Sequence, residues 1–199
     1  MHRFRFLAVL ALAFLASPVL ASDYGPIERV QIRGLGTVDY QHLFTDTGAP
    51  GESMDDFAAR IAPRLRAYSD ETGFEACGVI ASDGERFGAV IGSNRAHIAC
   101  ANFAAKVPAG MRATGETIHS HGTDRAFSAN RNDKALSPEQ MAGARSGIRG
   151  VAGQRLDAFS AMDYHGGPGY LATPGGILHQ HGKGTARTVQ PAHNDDAAQ

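Results

Sequence analysis

Two histidines lie one residue apart in the segment ETIHSHGTD, as His119 and His121. The residues from Glu116 to His119 are β-prone and Gly122 breaks a strand, so we predict that the pair lies at a strand end. Alternate side chains of a strand point to the same face, which lets both imidazoles converge on one point. Catalytic zinc takes three protein ligands and keeps a fourth position open. The pair therefore predicts a metal site that needs a third ligand.

Two serine–aspartate pairs follow the histidines, Ser128 with Asp133 and Ser160 with Asp163. Only the second has the spacing Ser-x-x-Asp, in which the serine can cap a helical turn while the aspartate lies on the same side. We predict Asp163 as the third zinc ligand and interpret Ser128 and Asp133 as polar loop residues. Hydrolysis at neutral pH also needs a base for the attacking water. Glu75 is the candidate, because it opens EACG at the start of the strand predicted from the apolar run CGVIAS.

These residues, in this order, resemble the JAMM (JAB1/MPN/Mov34) metallopeptidase pattern. The matching segments are EACG at 75–78, HSH at 119–121 and SAMD at 160–163, and the following GYLATPGG resembles JAB-like bacterial domains. The similarity covers about Phe74 to Leu178. It implies a zinc-dependent peptidase or isopeptidase with cytidine-deaminase-like α/β/α layering.

The resemblance also implies a role for each matching residue. His119, His121 and Asp163 would bind Zn²⁺, Glu75 would transfer the proton of the attacking water, and Ser160 would stabilise the oxyanion. The family usually has proline after the second histidine and a short link to the serine. Here Gly122 follows, and residues 122–159 form a long insertion, which we interpret as a lid or a substrate-selecting arm.

The sequence leaves alternatives open for the cysteines, for a second histidine pair and for the function. Cys77 and Cys100 are the only cysteines, and they form either a disulfide or two buried thiols. Cys77 acting as a nucleophile with His119 as its base is a further alternative, although it lacks an orienting third group. A second His-x-His pair, His179 and His181, has no acidic partner pattern nearby, and we interpret it as a solvated strand end. The competing function is a non-catalytic JAMM-like binding module or a toxin-associated immunity module.

The N-terminal residues 1–21 have the pattern of a secretory signal peptide: two arginines, a short apolar run and small residues before a predicted cleavage after Ala21. The apolar run is too short to span a bilayer. Its removal takes away two of 19 basic residues and no acidic one, so 17 basic and 20 acidic residues leave a charge of −3. We expect an exported, periplasmic or secreted protein without stable membrane insertion. No nucleic-acid partner is expected, and the expected substrates are peptides, proteins or peptidoglycan.

The remaining patterns predict an α+β domain with a mixed sheet flanked by helices. We place it at 53–184, after an N-terminal arm at 22–52 that holds at most one edge strand, and before a polar tail at 185–199. A helix is expected from Ser53 to Gly73, and a second, short helix from Ser137 to Gly147. A hairpin turns at Asp83-Gly84, GYLATPGGILHQHG predicts two strands, and the segment 96–110 reads equally well as strand or helix.

Overall fold

One eight-stranded mixed sheet forms the centre of the fold, in the order β1-β2-β4-β3-β5-β6-β7-β8. The structure is a computed structural model that describes residues 24–142 and 150–189. The predicted signal peptide and the predicted helix end at Gly147 lie outside these residues. The α+β class expected from the sequence is confirmed. The strands are β1 (Ile27–Ile32), β2 (Gly36–Thr47), β3 (Ala76–Ser82), β4 (Phe87–Ser93), β5 (Arg112–Ser120), β6 (Gly169–Thr173), β7 (Gly176–Gln180) and β8 (Arg187–Val189), and the helices are α1 (Met54–Thr72), α2 (Arg131–Leu136), α3 (Pro138–Ala142) and α4 (Ala161–His165).

Helix α1 covers one face of the sheet and has the ends that the sequence predicts. Ser53 caps it, because its hydroxyl accepts a hydrogen bond from the Asp56 amide at 3.1 Å. Gly73 ends it in the left-handed conformation, with φ 75°. The buried side of the helix packs into the main hydrophobic core, which includes Phe57, Ile61, Leu65, Ile80, Ile91 and Ile118.

The expected hairpins are present in the sheet. β3 pairs with β4 across a turn in which the Asp83 carboxylate accepts from the amides of Glu85 and Arg86, and Gly84 takes φ 100°. β6 pairs with β7 across the turn that follows Thr173. No helix among the described residues has the length and apolarity of a membrane span.

The N-terminal segment differs from the expected arm. β1 and β2 form an antiparallel hairpin, and β2 continues the main sheet by pairing with β4. Where at most one edge strand was expected, Gly34 and Gly36, with φ 84° and 90°, form the turn between two strands. Val38 and Leu43 are buried, so this hairpin belongs to the same domain. The predicted polar tail differs as well, because its first part contains β8, paired with β7.

A disulfide joins Cys77 on β3 to Cys100 in the segment between β4 and β5. Of the two alternatives for the cysteines, the structure has the paired one, and neither is a free thiol. Cys77 is the direct cross-strand neighbour of His119 in the register of β3 with β5. The disulfide therefore fastens the segment that follows β4 beside the strand that carries the two histidines.

We expect the double variant Cys77→Ala/Cys100→Ala to be less stable by about 3 kcal/mol, because the bond closes a loop with a sequence separation of 23. That loss corresponds to a Tm lower by roughly 6–12 °C for a domain of this size. Thermal unfolding followed by circular dichroism measures it. Wild-type protein treated with a reductant should reach the same Tm as the variant, and an unchanged Tm in both would contradict the expectation.

Candidate metal centre

The end of β5 places His119, and His121 immediately after the strand, on the face of the sheet opposite α1. Ile118 packs into the core under α1, and the Ser120 hydroxyl lies 2.7 Å from the hydroxyl of Ser69 on that helix. Because strand residues alternate, His119 and His121 point the other way. The buried guanidinium of Arg66 fixes the strand end by donating to the His121 carbonyl oxygen at 2.6 Å. The two rings lie with their centroids 5.3 Å apart.

Helix α4 brings Asp163 to these imidazoles. Ser160 is its N-cap and forms a capping box with Asp163: the Ser160 amide donates to Asp163 Oδ2 at 2.6 Å, and the Asp163 amide donates to Ser160 Oγ at 3.3 Å. The carboxylate reaches 3.2 Å from Nε2 of both His119 and His121. Of the two serine–aspartate pairs, Ser160 and Asp163 are the pair that lies beside the histidines.

The donor atoms of this group fit a cation. Nδ1 of His121 lies 2.5 Å from the carbonyl oxygen of Arg155, so the N–H that it donates fixes the ring and turns Nε2 towards Asp163. Nε2 of His119 is buried, and although it lies 3.2 Å from Asp163 it has no aligned hydrogen-bond partner. One ligand atom from each residue lies within 4.8 Å of the others. An imidazole nitrogen that faces a carboxylate must either carry a proton that it donates or share a metal ion with the carboxylate, because two acceptors cannot bond to each other.

The charges of the three residues also favour a cation there. Burial acts to raise the pKa of the Asp163 carboxyl, but the neighbouring imidazoles lower it well below its usual range, so Asp163 is ionised. Burial acts to lower the pKa of His121, and Asp163 and Glu75 outweigh it and raise that pKa. A pair of imidazoles and an ionised carboxylate is a ligand set typical of a metal with one open position.

Glu75 lies just before β3 and is 4% exposed. Its amide donates to the Ala96 carbonyl oxygen at 2.9 Å, and the Ser93 hydroxyl donates to its carbonyl oxygen at 2.7 Å. Burial raises the pKa of its carboxyl to about 8, against the opposing effects of His121 and Arg66. A cation bound nearby would favour the ionised form and lower that pKa.

The predicted site residues lie around a cleft of about 270 Å³. Glu75, His119, Ser160 and Asp163 line it together, and Cys100 of the disulfide contributes to its wall. His121 lies behind them and is 1% exposed. The structure therefore brings all five predicted catalytic and metal-binding residues into one place, and metal binding itself stays a prediction.

The second His-x-His pair differs from the solvated strand end that the sequence suggests. His179 is 3% exposed, and its Nε2 lies 3.1 Å from Glu116 Oε2, while His181 lies 3.5 Å from the same carboxylate. Arg187 donates to Nδ1 of His179 at 3.0 Å. Nδ1 is therefore an acceptor, and Nε2 carries the proton that it donates to Glu116.

Glu116, His179 and His181 also lie close enough together to hold a metal ion. Their hydrogen bonds, however, already satisfy the buried imidazole, and the ring of His179 stacks on Tyr170 with centroids 4.0 Å apart. Glu116 precedes His119 by three residues, so it lies on the opposite face of β5. Glu116 is the acidic partner that the sequence around the second pair does not indicate, because it lies 63 residues before His179 in the chain.

Asp133 also has a different role from the polar loop residue that the sequence suggests. It is fully buried and accepts from the His97 amide at 2.7 Å, and its other oxygen lies 2.9 Å from Nδ1 of His97. It forms a capping box with Asn130 at the start of α2, a helix that was not predicted. The spacing Asn-x-x-Asp was the available signal. Asp133 therefore anchors the 122–159 insertion to the segment after β4.

Comparisons of the chain with protein-family models, with curated proteins and with solved structures find no match. The site geometry and the residue pattern are therefore the grounds for assigning a function.

Proposed function

We propose that this protein is an exported zinc metallopeptidase of JAMM type that hydrolyses peptide or isopeptide amide bonds. The observation that carries the proposal is the convergence of three ligand atoms: Nε2 of His119 and Nε2 of His121 each lie 3.2 Å from the carboxylate of Asp163, and the buried Nε2 of His119 forms no well-aligned hydrogen bond. Such an arrangement is costly unless a cation completes it. Glu75 and Ser160 line the same cleft, as hydrolysis would require.

His119, His121 and Asp163 would hold the zinc ion. When bound, this ion would act as a Lewis acid that lowers the pKa of water and polarises the substrate carbonyl. Glu75 takes a proton from the attacking water with its carboxylate and returns it to the leaving amine. Ser160 Oγ accepts the Asp163 amide hydrogen, so its own hydroxyl hydrogen is available to donate to the developing oxyanion. The Arg155 carbonyl oxygen keeps the proton of His121 on Nδ1.

Export is part of the proposal and has two supports. The residues 1–21 carry the signal-peptide pattern, and disulfides such as Cys77–Cys100 persist in oxidising compartments. Amide bonds outside the cytoplasm occur in proteins and in the stem peptides of peptidoglycan, which are the two substrate classes to test.

Digestion of purified peptidoglycan fragments and of an unstructured protein tests the proposal. We expect mass spectrometry to show cleavage of amide bonds, loss of cleavage in the presence of a chelator, and recovery after zinc is added back. Full activity in the chelator-treated, zinc-free protein would contradict a metallopeptidase. A protein that holds zinc and cleaves neither substrate would instead be a binding module.

A further inference from the structure

The described residues include three large hydrophobic side chains that are exposed: Ile27 at 51%, Leu35 at 40% and Met162 at 59%. Single exposed apolar residues are common and need no explanation. Leu35 and Met162, however, come from opposite ends of the sequence and both line the cleft of the candidate metal centre. An exposed apolar pair at a concave polar site is typical of a surface that a ligand covers.

Leu35 is placed in the cleft by a specific turn. It lies at the tip of the β1–β2 hairpin, between Gly34 and Gly36, whose positive φ angles of 84° and 90° few other residues adopt. Gly, Pro, Asn, Asp and Ser dominate tight turns, so a leucine is not a typical turn residue. This tip instead presents to the cleft a leucine that is 40% exposed.

Met162 immediately precedes the candidate ligand Asp163 on α4. Its flexible thioether side chain can adapt to different apolar groups, and Phe159 and Leu136 extend the apolar wall beside it. Among the described residues that line the cleft, the only charged side chains are those of Glu75 and Asp163, apart from the imidazole of His119. The lining around the centre therefore combines apolar and neutral polar side chains, and none of its described residues other than His119 could offer a cation to a carboxylate-rich substrate.

We infer that Leu35, Phe159 and Met162 form a subsite for a bulky apolar side chain next to the scissile amide. This inference rests on the proposed function and narrows it: the substrates are polypeptides with leucine, methionine or phenylalanine at the cleavage site. Peptidoglycan stem peptides consist of small and charged amino acids and leave such a subsite unfilled. Burial of one large apolar side chain corresponds to a preference of roughly tenfold or more.

Two acetylated hydroxamic acids, those of phenylalanine and of glycine, test the subsite without a need for turnover. Titration calorimetry with the zinc-loaded, full-length protein should give a Kd for the phenylalanine compound that is roughly tenfold lower. The double variant Leu35→Gln/Met162→Gln should reduce this preference to less than about threefold, with its zinc content unchanged. Glutamine adds no charge near the centre, so a loss of affinity reports the apolar contact.

Ile27→Gln is the matched control, because Ile27 is equally exposed but does not line the cleft. It should keep the full preference for the phenylalanine compound.

Zinc content tests the metal centre, and the ratio of the two Kd values tests the subsite. A protein that holds zinc and binds both compounds equally, or binds neither, overturns the subsite alone. A protein that holds no zinc and binds neither overturns the proposed function and the subsite together.

Discussion

The variant Glu75→Gln is expected to retain its zinc and to lose hydrolysis by about 10²–10⁴-fold, the usual contribution of a general acid–base group. The amide of glutamine has nearly the same shape as the carboxyl but cannot accept the proton of water. Glu75 is 4% exposed, and burial already favours the neutral form of its carboxyl by raising its pKa to about 8, so a neutral glutamine of nearly the same shape suits the same environment. The variant should therefore fold at least as stably as the wild type. Cleavage rates and zinc content, measured on the same preparations, check the expectation.

The matched control for this variant is Glu71→Gln, which removes an exposed glutamate from the end of α1, outside the cleft. It should leave both rate and zinc content unchanged. Equal cleavage rates for wild type and Glu75→Gln would exclude Glu75 as the base. Loss of zinc in Glu75→Gln would instead give this residue a part in metal binding.

The variant His121→Ala is expected to lower the zinc content from about one ion per chain to nearly none, because three protein ligands become two. The remaining His119 and Asp163 would lie 3.2 Å apart without the third group that completes the set. Elemental analysis of protein purified without a metal-binding tag measures the change.

The control here is His181→Ala, from the second His-x-His pair. His181 is largely exposed, and the buried imidazole of that cluster already has hydrogen bonds to Glu116 and Arg187. Its removal should leave the zinc content unchanged. If zinc is lost in His181→Ala and retained in His121→Ala, the metal belongs to the second cluster and the proposed centre is wrong.

The sequence predicted those features that depend on short spacings. The ends of α1 follow from Ser53 and Gly73, and the β3–β4 hairpin follows from Asp83-Gly84, because capping and turn residues act on their immediate neighbours. The convergence of His119 and His121 follows from strand alternation. Asp163 could be chosen over Asp133 because a serine–aspartate spacing of three residues orients the carboxylate within a single helical turn.

Features that depend on contacts between residues far apart in the chain were not predicted. Nothing near His179 in the chain indicates Glu116, since the two meet across β6, the strand that separates β5 from β7. The burial of Asp133 likewise depends on His97, 36 residues away. The sheet extends further than expected, because β2 pairs with both β1 and β4 in a segment where at most one edge strand was expected. Such contacts are products of tertiary packing, which local patterns do not encode.

The long connection between β5 and β6 would give a metal ion bound at the proposed centre a second role, in the stability of the fold. β5 and β6 form the one parallel pair among the described strands, so the chain must leave the sheet and return over a long connection between them. His121 begins this connection and Asp163 lies near its end, 42 residues later. Closing such a loop costs chain entropy before any contact compensates for it, so non-local pairs form slowly. A cation bound by residues at both ends of this connection would bind only when β6 is paired with β5. It would therefore stabilise the complete sheet relative to any state in which β6 is detached. In a refolding experiment, metal binding would then occur only after β6 has paired with β5.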